Sequence, residues 1–448
     1  MKRPVLTIAL LSSGREETIE RCLQSLMAVK QAISAEIIVT DTSQDTQSPV
    51  ADVLARYADQ VLSFAWCGDF ARARNVSIDA ARGEWYFFVD DDEWLLEPKS
   101  LIRFFKSGEY RRYDSADVII RNYYDDDFIR YGDDWVSRLI RMKPGVRFEG
   151  RIHEHFSGSG GRNKAIPVRI GHTGYIFHSE AEKRQHSERN KELLLSAIDE
   201  EPDNIQWWYH LLLEHDSLGE TEAEKAVCDR ALAILGDRND GQATALRGFF
   251  ICARLRCERL GEQWEKEAAL FEQLVDGQEA GFGIVAGTYL MMEASQIYYR
   301  LGELDKSAEY CHRYLKRYQK YHKDKEGLRK EAVFFLSATF DRNIYGAVTS
   351  LISYLDARKG DWSSFDQYFR ECDWSDGCPF DFRGIQNQFI QIMVDCEYDE
   401  RFVLMTDAFQ KGSVASDTFR QRVMQEQEKQ SRGFINMLTA INATVEKQ

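Results

Sequence analysis

The chain has no uninterrupted apolar stretch near the roughly 20 residues that a membrane-crossing helix requires, so no spanning segment is expected. Its nine cysteines contain no Cys-x-x-Cys pair and leave an odd one over. That pattern points to reduced thiols in a cytoplasmic protein, used mostly as small apolar residues. Lysine and arginine form no block, and the net charge is −15. Nucleic acid and anionic membranes are therefore not expected as main partners. No Gly-x-Gly-x-x-Gly follows the first apolar run, which disfavours a dinucleotide site. The opening Met1-Lys2-Arg3, followed by Val5 to Leu11, has a short apolar run and no small-residue cleavage site. A first β-strand is the better reading than a leader peptide.

What is present is an ordinary folded composition, 44% hydrophobic and 29% charged over 448 residues, which implies two or three domains. To about residue 180 strand and helix signals alternate. Val5–Leu11 is followed by Ile19, Cys22, Leu23 and Leu26 at helical spacing, then by a strand at Glu36–Thr40. A helix is expected over Val50–Ala58, a strand over Val61–Phe64, and a helix from Phe70 to Arg82, capped by Asp69 and ended by Gly83. Trp85–Val89 is apolar on both faces, as inside a parallel sheet. The alternation argues for an open α/β sheet.

Beyond residue 185 helical periodicity takes over. Leu218-Gly219-Glu220, Leu260-Gly261-Glu262 and Leu301-Gly302-Glu303 recur 42 and 41 residues apart, each read as a turn between antiparallel helices with glycine left-handed. Lys359-Gly360-Asp361-Trp362 marks a fourth unit, and helices are expected near 417–432 and 434–445. Trp207, Trp208 and Tyr209 are read mainly as repeat packing and secondarily as an acceptor contact. The expected division is 1–185 for an α/β domain, 186–325 for helical repeats, and 326–448 for a helical region that serves dimerisation or acceptor binding.

Four consecutive acids, Asp90-Asp91-Asp92-Glu93, end the apolar strand Trp85–Val89. They repel one another unless water, Lys and Arg, or a metal ion sits among them. Their place after a buried strand favours a metal over a solvent-side helix cap. Ligands bind beyond the carboxyl ends of parallel strands, where Asp41 and the loop Ser12–Glu17 also fall. A nucleoside diphosphate facing these carboxylates would need a bridging cation, while Asp41 would accept from a base or ribose. An Asp-x-Asp also opens phosphatases with Asp as nucleophile, but those sites follow the first strand and this one follows the fourth. His153, His155, His172, His178 and His186 cluster in sequence. They match no structural zinc spacing, though one could complete a site with Asp90 and Asp92.

Several motifs occur in an order that resembles bacterial family 2 glycosyltransferases of the GT-A fold with C-terminal tetratricopeptide-like helices, the sublancin-type peptide S-glycosyltransferases among them. Glu36 to Thr46 looks like the family's uridine-binding strand and its Asp-x-Ser loop. Asp69-Phe70-Ala71-Arg72-Ala73-Arg74-Asn75 looks like its Asp-Phe-Ser-x-Ala-Arg-Asn. Gly83-Glu84-Trp85 through Glu93 looks like its Gly-Glu-Trp segment ending in Asp-x-Asp-Glu. Arg138-Leu139-Ile140-Arg141, then Phe148, Gly150 and Ile152-His153-Glu154, and finally His172-Thr173-Gly174-Tyr175 continue the series. Two positions depart from the pattern. Ser13-Gly14-Arg15-Glu16-Glu17 stands where many relatives have Asn-Glu, and Ala71 replaces a serine.

The resemblance implies an inverting transfer in which an acceptor nucleophile displaces UDP from a UDP-sugar, glucose or N-acetylglucosamine being the expected sugars. It implies donor binding by Thr7, Ala9, Leu10, Asp41, Ser43, Asp69, Arg74, Asn75, Asp90, Asp91, Arg138 and Arg141. It implies Mn2+ or Mg2+ on Asp92, Asp90 and His172, and a base at Glu154 beside His153, with Asp134 as second choice. A peptide, protein or glycan acceptor and a homodimer complete the expected partners. The alternatives are a non-enzymatic scaffold built on a decayed transferase domain, or a transferase acting on a cell-envelope glycan.

Overall fold

The computed structural model describes residues 3–43, 50–158, 160–238, 240–275, 282–324, 339–340, 342–368 and 425. The expected helices near 417–432 and 434–445, and Asp45 and Thr46 of the loop after the second strand, lie outside the described residues. The chain divides into two compact units, Met1–Gly219 and Glu220–Gln448.

The first unit is built on a mixed sheet. Strands β1 (Leu6–Ser12), β2 (Ala35–Asp41), β3 (Gln60–Ser63) and β4 (Trp85–Asp90) run parallel in the order β3-β2-β1-β4. Helices α1 (Glu16–Ala32), α2 (Val50–Tyr57) and α3 (Phe70–Ala80) make the crossovers, as the alternating pattern requires. After β5 (Glu93–Leu95) and α4 (Lys99–Lys106), the sheet continues with β6 (Ser115–Tyr123), β7 (Tyr131–Arg141) and β10 (Asn163–His172). Strand β7 is antiparallel to both β4 and β6, so the sheet is not purely parallel as the alternation suggested. A small hairpin, β8 (Arg147–Glu149) with β9 (His155–Ser157), lies against α3.

Period-two alternation sorts the strand residues onto two cores. Leu6, Ile8, Leu10, Trp85, Phe87 and Val89 face α1, α2 and α4. Ala9, Tyr86 and Phe88 face the other way, onto Ile78 of α3 and onto Phe148 and Phe156 of the hairpin. Both faces being covered explains the uninterrupted apolar run at Trp85–Val89.

Gly83 does not end α3. The helix stops at Ala80 with an extended Ala81, and Asp69 caps its start by accepting from Arg72 N at 2.9 Å. Gly83 serves a close approach instead: a Cβ there would lie 2.4 Å from the Thr7 nitrogen and 2.5 Å from the Trp85 oxygen.

Helices α5 (Glu180–Glu200) and α6 (Ile205–Leu218) cluster with the first unit rather than with the repeats. Their anchors are local, since Arg151 pairs with Glu200, and Trp207, buried, reaches the α-carbon side of Gly150. Trp207 therefore packs on the loop between β8 and β9 of the α/β unit.

In the second unit α7 (Thr221–Leu235) packs with α8 (Gly241–Leu260), and α9 (Trp264–Leu274), α10 (Val285–Arg300), α11 (Leu304–Tyr321), α12 (Arg342–Ala357) and α13 (Ser363–Tyr368) follow. The buried faces of α8 to α13 merge into one core around Phe271, Leu290, Tyr298, Tyr314 and Tyr354. Gly219, Gly302 and Gly360 take the left-handed conformation at the helix ends. At the middle turn that conformation belongs to Glu262 at φ 56°, one residue past the expected Gly261 at φ −86°.

Candidate active site

The acids at the end of β4 are gathered around three arginines. Arg74, from α3, donates through Nη2 to Asp90 Oδ1 at 2.6 Å and through Nε to Glu154 Oε1 at 2.5 Å. Arg138, from β7, reaches Glu93 Oε1 at 2.5 Å and lies 3.6 Å from Asp90 Oδ2. Both guanidiniums stack over the Phe88 ring. Arg15, in the loop after β1, donates to Asp92 and lies 3.5 Å from Asp91. Asp91 turns back to the same loop and accepts from the Ser13 backbone nitrogen at 2.7 Å.

Burial and charge split the acids. Burial would raise the Asp90 carboxyl, but Arg74 and Arg138 overcome it and hold it down at about 2. Asp91, with burial dominant over Arg15, is pushed up to about 6. Burial also moves Glu93 upward despite Arg138. The carboxyl group of Glu93 accepts from the Asp90 backbone nitrogen at 2.9 Å, which ties the turn together.

Strand register brings His172 to this cluster. At the end of β10 it sits opposite Glu93 of β5 and level with Asn122 of β6. Its Nδ1 lies 2.7 Å from Asn122 Oδ1 and its Nε2 lies 3.8 Å from Asp92 Oδ1. Asn122 Nδ2 in turn donates to Asp134 Oδ2 at 2.9 Å, and burial raises the Asp134 carboxyl. The relay Asp134–Asn122–His172–Asp92 thus joins residues from β7, β6, β10 and the β4–β5 turn. Burial lowers the His172 imidazole.

Not every expected site residue is brought here. Asp41 closes β2 at the same edge and accepts from the Ser43 nitrogen at 3.0 Å. Thr7 is at the opposite edge, donating to Glu36 and accepting from the Gly83 nitrogen, because it opens rather than closes β1. Ala9 and Leu10 point into the two cores. Arg141 opposes Trp85 because β7 runs antiparallel to β4, roughly 16 Å of strand from Asp90. It pairs there with Glu84. Asp69 caps α3, and the Asn75 amide bonds both backbone groups of Phe148. His153, left-handed at φ 53°, turns from Arg74 and stacks on His210 of α6 at 3.5 Å, while its neighbour Glu154 faces the cluster. Asp90 faces arginines rather than His172, and among the described residues no group of three His, Cys, Asp or Glu side chains is arranged around a metal position.

Residues 7–179 match the family described as glycosyl transferase family 2. This segment is a family 2 glycosyltransferase domain. The SPbeta prophage-derived glycosyltransferase SunS of Bacillus subtilis (strain 168) is 27% identical over 210 residues, 46% of this chain and 48% of that protein. A TPR repeat-containing protein of Synechococcus elongatus is 29% identical over 150 residues, 33% of this chain and 34% of that one. The matches span about half or less of the length of these relatives. Among solved structures, S. aureus TarS 1-349 aligns at 13% identity over 66% of this chain and 91% of its own, with a TM-score of 0.30. The domain has the Rossmann-like GT-A arrangement, and a helical region follows it.

The transferase domain's own side chains fit a divalent cation. Asp92 offers a hard carboxylate oxygen already faced by a cation, the Arg15 guanidinium. With Nδ1 engaged by Asn122, the His172 Nε2 lone pair is directed to the Asp92 side. Gly174 leaves the adjoining space open: a Cβ there would come within 2.4 Å of His172 Nε2 and 3.2 Å of Asp92 Oδ2.

Sequence reasoning missed Arg15 and Asn122 as site residues. Arg15 was visible only as a departure from the family's pattern. Asn122 lies 50 residues from His172, and only the β6–β10 register reveals it.

Proposed function

We propose that the protein transfers a sugar from a UDP-sugar to an acceptor nucleophile on a peptide, protein or glycan, with inversion and with a divalent cation. The observation that carries this reading is the Asp92–His172 pair at the carboxyl end of β4, backed by Asn122 and opened by Gly174. Asp92 and His172 would hold Mn2+ or Mg2+, which when bound would offset charge on the departing diphosphate.

The remaining chemistry falls to the chain's side chains. Arg74 and Arg138 supply fixed positive charge beneath the diphosphate, and their burial keeps them oriented without reorganisation. Asp41, at the end of β2, and Ser43, whose nitrogen it binds, would contact the uridine. Glu154 would accept the acceptor's proton, with its carboxylate positioned by Arg74. Asp134, raised by burial, is the alternative base. The acceptor atom bonds to the anomeric carbon, the bond to the diphosphate oxygen breaks, and UDP leaves with that electron pair. The helical unit supports a polypeptide acceptor, since stacked helix pairs make surfaces suited to peptides.

The test is UDP release from a panel of UDP-sugars, with and without Mn2+ or Mg2+. Metal-dependent release from one sugar, absent in Asp92→Ala, is expected. Glu154→Gln should retain UDP binding and lose turnover by about a hundredfold or more. Full turnover in Asp92→Ala would overturn the metal assignment. No metal-dependent UDP binding at all would favour the scaffold reading.

A further inference from the structure

The cation that faces Asp92 in this structure is Arg15. The loop that presents it is tightly defined. Gly14 is left-handed at φ 85°, and a Cβ on it would lie 2.9 Å from the Ser43 Cβ. Ser13 is pinned to Asp91 through both its backbone nitrogen and its hydroxyl. The Arg15 side chain beyond this anchor is 44% exposed, whereas Arg74 and Arg138 are 6% and 10% exposed. Of the three arginines among the acids, only Arg15 can leave its carboxylates for solvent without unpacking the core.

We propose that Arg15 is the resident counter-cation of Asp92, which a divalent ion must displace, and that the donor's diphosphate then takes up the displaced guanidinium. This rests on the reading that Asp92 and His172 hold the metal. A cation arriving alone breaks the Arg15–Asp92 pair and leaves the guanidinium with only Asp91, 3.5 Å away, to face beside a second positive charge. A cation arriving with a diphosphate offers that guanidinium two phosphate groups that it can bind in a forked geometry. Metal and nucleotide therefore bind cooperatively, and each raises the affinity of the other by the same factor. The side chain that stands in for the metal thus keeps the site from filling with a divalent ion before the donor is present.

The experiment measures Mn2+ binding to the full chain by electron paramagnetic resonance or calorimetry, with and without UDP, in wild type, Arg15→Gln and Asp92→Asn. Arg15→Gln is expected to bind Mn2+ alone about tenfold more tightly, and UDP should improve that affinity by a smaller factor than in wild type. Unchanged or weaker binding of Mn2+ alone in Arg15→Gln overturns the proposal. Asp92→Asn that binds Mn2+ with UDP as wild type does would overturn the underlying metal reading, whatever Arg15 does. Arg15→Met, which keeps the side-chain bulk without the charge, repeats the test if the glutamine variant is unstable.

Discussion

Asn122 holds the imidazole of His172 through an Oδ1 to Nδ1 contact of 2.7 Å, and its own amide nitrogen is spent on Asp134. The amide orientation is therefore set from both sides, and Nδ1 carries the proton. That leaves Nε2 as the free lone pair facing Asp92. Outer partners of this kind typically contribute 10- to 100-fold in metal affinity. Asn122→Ala is expected to weaken UDP-dependent Mn2+ binding by about that factor while the melting curve stays close to wild type. Wild-type affinity would show that the imidazole needs no such support.

Arg74 is the buried centre of the site, bonded at once to Asp90 and Glu154 and 6% exposed. Removing one member of a buried ionic set strands the others, at a cost of about 3–5 kcal/mol. Arg74→Ala should lower the unfolding free energy of the first unit by that order, followed by urea denaturation with tryptophan fluorescence. A loss under about 1 kcal/mol would mean that Asp90 and Glu154 find solvent or another cation on their own.

The stacked imidazoles of His153 and His210 make the first unit acid-sensitive. Burial lowers His153 to about 4 and, together with the facing His153, lowers His210 to about 2. In the unfolded chain both take up protons near the ordinary value of about 6.5. Between pH 6.5 and 4 the unfolded state therefore binds more protons, and stability falls as the pH drops through that window. His210→Phe, which keeps a stacking ring, should flatten the dependence of melting temperature on pH between 7 and 5. An unaltered slope would place the acid sensitivity elsewhere, for example at His186, which burial also lowers to about 4.

Much of this was readable along the chain. The parallel half of the sheet was legible because each strand is a short apolar run followed by a helix. The acid cluster stood out because four charges follow a strand buried on both faces. What was not legible depends on register and direction. Arg141 carries the right residue type in the right motif, yet the antiparallel run of β7 takes it to the other edge. Asn122 carries no local signal, and only β6–β10 pairing places it on His172. His153 and Glu154 are neighbours in sequence, but the left-handed backbone at His153 sends their side chains to different partners. The left-handed residue of the middle helical turn is Glu262, although a glycine stands beside it, because the chain there turns one residue later.

Gly174 gives the sharpest test of where a cation would sit. It follows His172 by two residues in the turn that leaves β10, and it lies beside both candidate ligands. A methyl group in its place would approach His172 Nε2 to 2.4 Å and Asp92 Oδ2 to 3.2 Å. The volume it would fill is thus the volume between the two ligands, and the contacts are with side-chain ends rather than backbone. The imidazole has little freedom to retreat, since Nδ1 is tied to Asn122. Gly174→Ala should therefore reduce UDP-dependent Mn2+ binding at least tenfold, a loss of about 1.4 kcal/mol in affinity. Overpacking of this kind costs about 1–3 kcal/mol in stability, so the fold should survive and the variant remain measurable. Calorimetric titration of Mn2+ and UDP into both proteins, beside a thermal melt, separates the two effects. Wild-type affinity in Gly174→Ala would move the cation away from the Asp92–His172 gap.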